Sequence, residues 1–232
     1  MFRLLVIAWM IIIRVPQRDQ KPTEKDYLLG RFDPSADARF VKPDDQYTTG
    51  AARSQYLRKE TYAAFVSMAE AAKKDGVQLV IVSATRNFET QKIIWERKWN
   101  DESAIRNPAD RARKILQYSS MPGTSRHHWG TDLDLNSLNN EYFASGEGRK
   151  VYQWLTTHAA QFGFCQPYTS KSTGRTGYEE EKWHWSYTPL SRPFLCEYEA
   201  LIQIPDITGF AGSETAAELD VITNYVAGVA CR

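Results

Sequence analysis

The sequence predicts an α+β fold: a single domain in which helices flank a small, mainly antiparallel sheet. Three observations carry this expectation. Amphipathic helical segments and short β-rich runs follow one another irregularly, no βαβ unit recurs, and two strand candidates alternate with the period of two that half-buried strands show. The 232 residues are 42% hydrophobic and 25% charged, enough to bury a full core without metal or disulfide staples, so a metal bound here would serve chemistry. Lys and Arg number 29 against 28 Asp and Glu. No net field therefore draws the chain to nucleic acid, which is not expected as a partner.

The chain opens on MFRLLVIAWMIII, in which a basic Arg3 precedes an unbroken apolar run over residues 4–13 and a polar, proline-containing stretch follows. This pattern predicts a signal peptide or short N-terminal anchor plus linker over residues 1–25, with the domain over residues 26–232. The run is short for a bilayer span, which needs about 17–25 residues. Export to the periplasm or cell envelope is the expectation, with residues 1–15 as a candidate membrane tether.

Residues 58–74 place Ala63, Phe65, Met68, Ala71 and Ala72 near helical spacing, and Asp75-Gly76 closes the segment as a helix stop. The β-branched run VQLVIVSAT, residues 77–85, predicts a buried strand. Asn87 is placed to cap a helix running to residue 100, and another helix is expected over residues 108–117. Residues 148–162 carry an apolar stripe of Val151, Trp154, Leu155, Ala159 and Phe162 ended by Gly163, with His158 expected on the exposed side. The strand candidates are TDLDLN (131–136) and KWHWSY (182–187). The tail, residues 213–230, reads as a helix capped by Ser213 with Glu214 in its first turn. Cys165, Cys196 and Cys231 lie far apart without CxxC spacing, which argues against a zinc ribbon and allows at most one bridge; Cys165 with Cys196 is one option.

Both strand candidates are rich in metal-ligating residues. In SRHHWGTDLD (125–134) a histidine and two aspartates flank Gly130, and strand period places Asp132, Asp134 and Asn136 on one face. Carboxylates in a low-dielectric cleft cost several kcal/mol unless a cation, a proton or an ion pair offsets them. EEEKWHWSY (179–187) adds a second histidine beside an acidic run. Two imidazoles and one carboxylate with an open fourth position are the ligand set of a catalytic zinc site, and a further carboxylate can act as base. Either motif alone also reads as a core histidine beside solvated acids; two such clusters in one chain favour the metal.

Together the two clusters resemble the zinc signature of the D-alanyl-D-alanine carboxypeptidase family (peptidase M15, VanY-like branch), S-x-H-x-x-G-x-A-x-D followed by E-x-W-H. Ser125, His127, Gly130 and Asp134 match the first part, Glu181, Trp183 and His184 the second, and Asp132 stands where the pattern has a small residue. SATRNFETQ (83–91) is similar to the family's S-x-x-R-x-x-x-x-Q segment. The likeness runs over roughly residues 62–187.

What the resemblance implies is a Hedgehog/DD-peptidase-like fold and a metallo-carboxypeptidase holding one zinc ion on His127, Asp134 and His184. Water would fill the fourth position and Glu181 would be the general base. Arg86 would contact substrate near the reacting carbonyl or the terminal carboxylate, and Ser125, Gln91 and Trp183 would line the pocket. The implied partners are peptidoglycan stem peptides, losing a C-terminal D-alanine by D,D- or L,D-cleavage. Strand geometry adds a requirement: Glu181 and His184, three apart, would face opposite ways in a regular strand, so Glu181 must precede the strand or sit at a bend within residues 177–181. Asp132 competes as a ligand or as acceptor for a histidine N–H, ranked behind Asp134 by motif register. His128 is expected to pack or to point to solvent beside the site. Two other functions use the same residues. A non-catalytic, zinc-containing wall-binding module would have no need of Glu181, and the triad of a non-haem iron oxygenase begins His-x-Asp, whereas His127 and Asp134 are seven apart.

Overall fold

The structure, a computed structural model, describes residues 24–232; the signal or anchor segment expected over residues 1–25 lies, but for its last two residues, outside the described residues. A two-stranded ribbon of β1 (Phe40–Val41) and β2 (Leu57–Arg58) stands beside the main antiparallel sheet. That sheet is built from β3 (Ile81–Ser83), β4 (Asp132–Leu135), β5 (Phe164–Cys165) and β6 (His184–Tyr187) in the spatial order β3-β4-β6-β5. The expected α+β architecture, with a small antiparallel sheet among helices, is what the chain adopts.

The helices follow their sequence cues. α1 (Glu24–Leu28) is a short opening turn. α2 (Lys59–Lys74) buries Phe65, Met68, Ala69 and Ala72, the i, i+3, i+4, i+7 stripe of a helix with one face in the core. It ends where Gly76 takes φ 74 and Val77 N–H returns to the Ala72 carbonyl at 2.8 Å. α3 (Phe88–Asp101) is capped by Asn87, whose side chain accepts from the Thr90 amide at 2.9 Å, and α4 (Pro108–Ile115) by Asn107. α5 (Gly146–His158) tightens into a 3-10 turn, Ala159–Phe162, and stops at left-handed Gly163. His158 is half-buried, its ring 4.9 Å from that of Trp154, and is not on an open face. α6 (Thr188–Leu201) was not signalled by a simple pattern, because Pro189 and Pro193 punctuate its sequence; Pro189 falls in the first turn, where a missing N–H costs nothing.

Two expected elements change. The run over residues 77–85 pairs only at Ile81–Ser83, because its partner β4 ends at Asn136, which adopts φ 62. Asn136 thus leaves the face of Asp132 and Asp134, and its side chain replaces the ladder by donating to the Gln78 carbonyl at 2.8 Å and accepting from Val80 N–H at 3.3 Å. The tail over residues 213–230 is no continuous helix: a 3-10 turn (Ser213–Thr215) and a π turn (Ile222–Val226) are separated by Asp220 at φ 43, and Ser213 lies inside its turn, not at the cap. Cys165 bonds Cys231, not Cys196, which stays free and exposed on α6; the C-terminal segment runs back to β5, with Ala230 N–H donating to the Pro167 carbonyl at 2.9 Å.

The sheet separates two apolar cores. Leu133, Leu135 and Trp185 turn toward α2 and α5, joined by Phe65, Met68, Val151 and Leu155. On the other side a second core gathers Trp95, Trp129, Tyr198 and Val226. The polar face of β4 and β6 lies between that second core and a cleft.

Candidate active site

Strand register assembles the site. Asp134 pairs with His184 and Asp132 with Ser186 across β4 and β6, so these four side chains share one face while Leu133 and Trp185, also paired, take the other. His127 reaches the same face from the 3-10 turn Arg126–Trp129, which closes at left-handed Gly130 (φ 74) before the chain enters β4. A Cβ at Gly130 would overlap the Phe40 ring, so that position needs glycine for its φ and for its space. This turn followed by a strand is the physical content of the seven-residue gap between His127 and Asp134.

Partners fix both imidazoles. His127 Nδ1 lies 2.8 Å from the Ala84 carbonyl, which can only accept, so Nδ1 carries the hydrogen and Nε2 presents a lone pair. His184 Nε2 lies 2.9 Å from Asp132, leaving Nδ1 toward the site. His127 Nε2 is 3.4 Å and His184 Nδ1 3.1 Å from Asp134 Oδ1. Glu181 sits in a turn before β6, where His184 N–H returns to its carbonyl at 3.3 Å, and its carboxylate stands 3.4 Å from His184 Nδ1. The bend that the three-residue spacing demands is this turn.

The residues fit a metal ion. His127 Nε2 and Asp134 Oδ1 are buried acceptors with no hydrogen-bond donor, each a cost of about 1–3 kcal/mol that a cation removes. One atom from each of His127, Asp134 and His184 lies within 4.8 Å of the others. Donors on a tetrahedral zinc at about 2.0–2.1 Å stand roughly 3.3 Å apart, the separation found on either side of Asp134 Oδ1. Charge agrees. Burial opposes a proton on His184, yet Asp132, Asp134 and Glu181 outweigh it and raise its pKa well above the imidazole range. Three carboxylates facing one imidazole call for positive charge at this point. Burial lowers the pKa of His127, aided by Arg86, which keeps this imidazole neutral as a ligand must be. Asp134 is held well below the carboxylate range, its burial offset by the two histidines. Glu181 goes the other way, raised by burial and by Asp134.

Asp132 is not placed among the ligand atoms. It accepts from His184 Nε2, Arg126 Nε (2.9 Å), Ser186 Oγ (2.8 Å) and Thr131 Oγ1 (2.7 Å), and so holds the ring of His184 from behind. Buried Arg126 supplies the countercharge, with its guanidinium 4.9 Å from the Trp129 ring and a second bond to Ser186. Sequence reasoning passed over Arg126, although an aspartate at a position usually small was the signal that a buried cation must lie nearby.

The site opens into a cleft of about 580 Å³. Arg86, Ser125 and Trp183 line it; Gln91 does not, because it faces the Ser120 carbonyl at 2.7 Å and steadies the cleft wall from within α3. The Nε of Arg86 and the Oγ of Ser125 are buried without partners, and no ion pair engages Arg86 among the described residues. Of the two expectations for His128, packed or facing solvent, the structure shows the packed one, with the ring fully buried. Its Nδ1 donates to the Arg86 carbonyl at 2.6 Å and its Nε2 accepts from Gly123 N–H at 3.0 Å, while burial lowers its pKa to about 3, so a neutral ring clamps the Arg86 segment. Tyr168, Tyr178 and Lys98 also line the cleft, residues no motif singled out. The hydroxyl of Tyr178 is buried without a partner.

Residues 54–190 match the VanY family, described as D-alanyl-D-alanine carboxypeptidase. The chain is 30% identical over 183 residues to YodJ of Bacillus subtilis (strain 168), named as a carboxypeptidase, covering 75% of this chain and 62% of that protein. It therefore spans less than two thirds of that relative's length. VanYB in complex with D-alanine-D-alanine is similar in structure, with a TM-score of 0.52 at 25% identity, covering 66% of this chain and 83% of that one. The vancomycin resistance D,D-pentapeptidase VanY in complex with Zn(II) shares the fold at a TM-score of 0.50 and 24% identity, covering 75% of this chain and 92% of the other.

Proposed function

The chain belongs to the VanY family of D-alanyl-D-alanine carboxypeptidases, and from that premise we propose that it hydrolyses the terminal peptide bond of peptidoglycan stem peptides, releasing D-alanine, with one zinc ion on His127, Asp134 and His184. The observation that carries the reading is the convergence of these three ligand atoms beside a buried carboxylate, Glu181, at the floor of a cleft holding an unpaired arginine. Bound zinc supplies a Lewis acid that polarises the scissile carbonyl and makes water acidic enough to attack near neutral pH.

The chain's own residues do the rest. Glu181 accepts a proton as water oxygen bonds to the carbonyl carbon, and passes it to the nitrogen when the C–N bond breaks. Its raised pKa suits both directions of that transfer better than an ordinary carboxylate would. Arg86 offers a planar, bidentate donor to the free C-terminal carboxylate, which makes the reaction an exopeptidase one. Asp132 and Ala84 keep the two imidazoles in the ligating tautomer. A module that only bound the wall would gain nothing from burying Glu181 at this point. The substrate also gives the apolar run over residues 4–13 a purpose, export to the envelope.

The test uses chelator-stripped protein reloaded with zinc and incubated with purified tetrapeptide and pentapeptide stems, with products read by mass. Loss of one alanine only in the presence of metal supports the reading; shortening of the pentapeptide reports D,D-cleavage and of the tetrapeptide L,D-cleavage. No shortening of either stem by protein with zinc bound overturns it.

A further inference from the structure

Resting on the carboxypeptidase reading, we infer that the cleft recognises a second carboxylate of the stem peptide, upstream of the scissile bond, through Lys98 and Arg97. Helix α3 brings Ile94, Arg97 and Lys98 to the cleft at i, i+3, i+4 spacing, one helical face. Among the described residues no carboxylate lies within ion-pair distance of the Lys98 ammonium or the Arg97 guanidinium, and neither group donates a hydrogen bond.

The cleft crowds Lys98 with two further cations. Lys98 is half-buried, and burial, then Arg86, then Arg97 lower its pKa, with Glu181 opposing them to a lesser degree. Three cations gathered on one wall cost repulsion that an incoming dianionic peptide reverses. The carboxylates in the cleft, Asp134 and Glu181, are already committed to the metal centre.

Position decides which carboxylate. A terminal alanine carries one, which Arg86 takes. Beyond the scissile bond the leaving alanine has only a methyl side chain and offers no second anion. The anion on Lys98 and Arg97 therefore sits on the acyl side, as the side-chain carboxylate of an internal stem residue. The exposed rings and chains of Tyr118 and Leu138 at the same cleft give the intervening residues apolar surface to lie on. The enzyme should accordingly prefer stems whose internal carboxylate is free over stems in which it is amidated.

The experiment compares two peptides identical except for that carboxylate or carboxamide. Binding is read by calorimetry on the full, zinc-loaded chain carrying Glu181→Gln, and kcat/KM on the chain with Glu181 intact. The expected preference for the free acid is about tenfold or more, as for a hydrogen bond to a charged group. It falls to within twofold in Arg97→Gln/Lys98→Met and is retained in Lys98→Arg. A preference near one in the starting proteins, or an equal preference in the double variant, overturns the inference. Failure of the carboxypeptidase reading looks different: selective binding of the free acid with no release of alanine.

Discussion

Asp132 and Asp134 stand two residues apart on one strand face, yet Asp134 converges with His127 and His184 while Asp132 holds His184 from behind. What separates them is what else surrounds each: Asp132 is saturated by four donors including Arg126, whereas Asp134 keeps an oxygen with no donor. The sequence could rank these two only by motif register, since strand period treats them alike. Removing Arg126 should strand Asp132 as a buried, uncompensated charge, so Arg126→Met is expected to cost about 3–5 kcal/mol in urea unfolding; a loss under 1 kcal/mol would contradict the pairing. Glu181→Gln should lower kcat by roughly 10²–10⁴ while zinc stays bound, measured by kinetics and metal analysis on the same sample. The pH dependence follows from the sign of its shift. Glu181 must be ionised to take a proton and its pKa is raised above 4.5, so kcat/KM should fall as pH drops through a value above 4.5. An acid limb at pH 4 or below would assign the base elsewhere.

At the scale of elements, the helices that were legible kept a local signal, the apolar stripe and glycine stop of α2 or the Asn87 cap of α3, whereas proline-punctuated α6 offered none. The strands were legible in type but not in length, since pairing ends where a partner ends, at left-handed Asn136 for β3 and β4. The convergence of His127, Asp134 and His184 was legible for a related reason: they lie within two short stretches where turn and strand fix the geometry locally. Lys98, Tyr168 and Tyr178 reach the cleft from elements brought together only by the tertiary fold, and no spacing along the chain announces them. The turn between His127 and β4 makes a direct prediction. Gly130→Ala imposes a left-handed alanine against Phe40, with an expected loss of roughly 2–4 kcal/mol in the metal-free protein and weaker zinc binding, read by unfolding and by zinc titration. Unchanged zinc affinity would show that the turn does not set the position of His127.

At the scale of the molecule, the C-terminal segment is a strap over the chain that leads to Glu181. Thr176 donates to the Asn224 carbonyl at 3.1 Å, Arg175 to that of Gly228 at 3.3 Å, and Tyr225 packs its ring 5.0 Å from that of Tyr178. Cys165–Cys231 closes this strap across 66 residues. Cysteine spacing could not reveal the pairing, because the two residues meet only once the tail has folded back on β5. A loop of that length gives about 4 kcal/mol in the chain-entropy account, so Cys231→Ser should lower Tm by roughly 10 °C. An unchanged Tm would mean that the noncovalent contacts of the strap suffice.

The central claim is that His127, Asp134 and His184 hold a catalytic metal for which Glu181 moves the proton. Its most direct test is release of alanine from purified stem peptides by zinc-loaded, chelated and Glu181→Gln protein side by side, with bound metal counted in each. The account predicts release by the loaded protein alone, with one zinc retained in the Glu181→Gln variant. Release by the chelated protein, or undiminished release by Glu181→Gln, would contradict it.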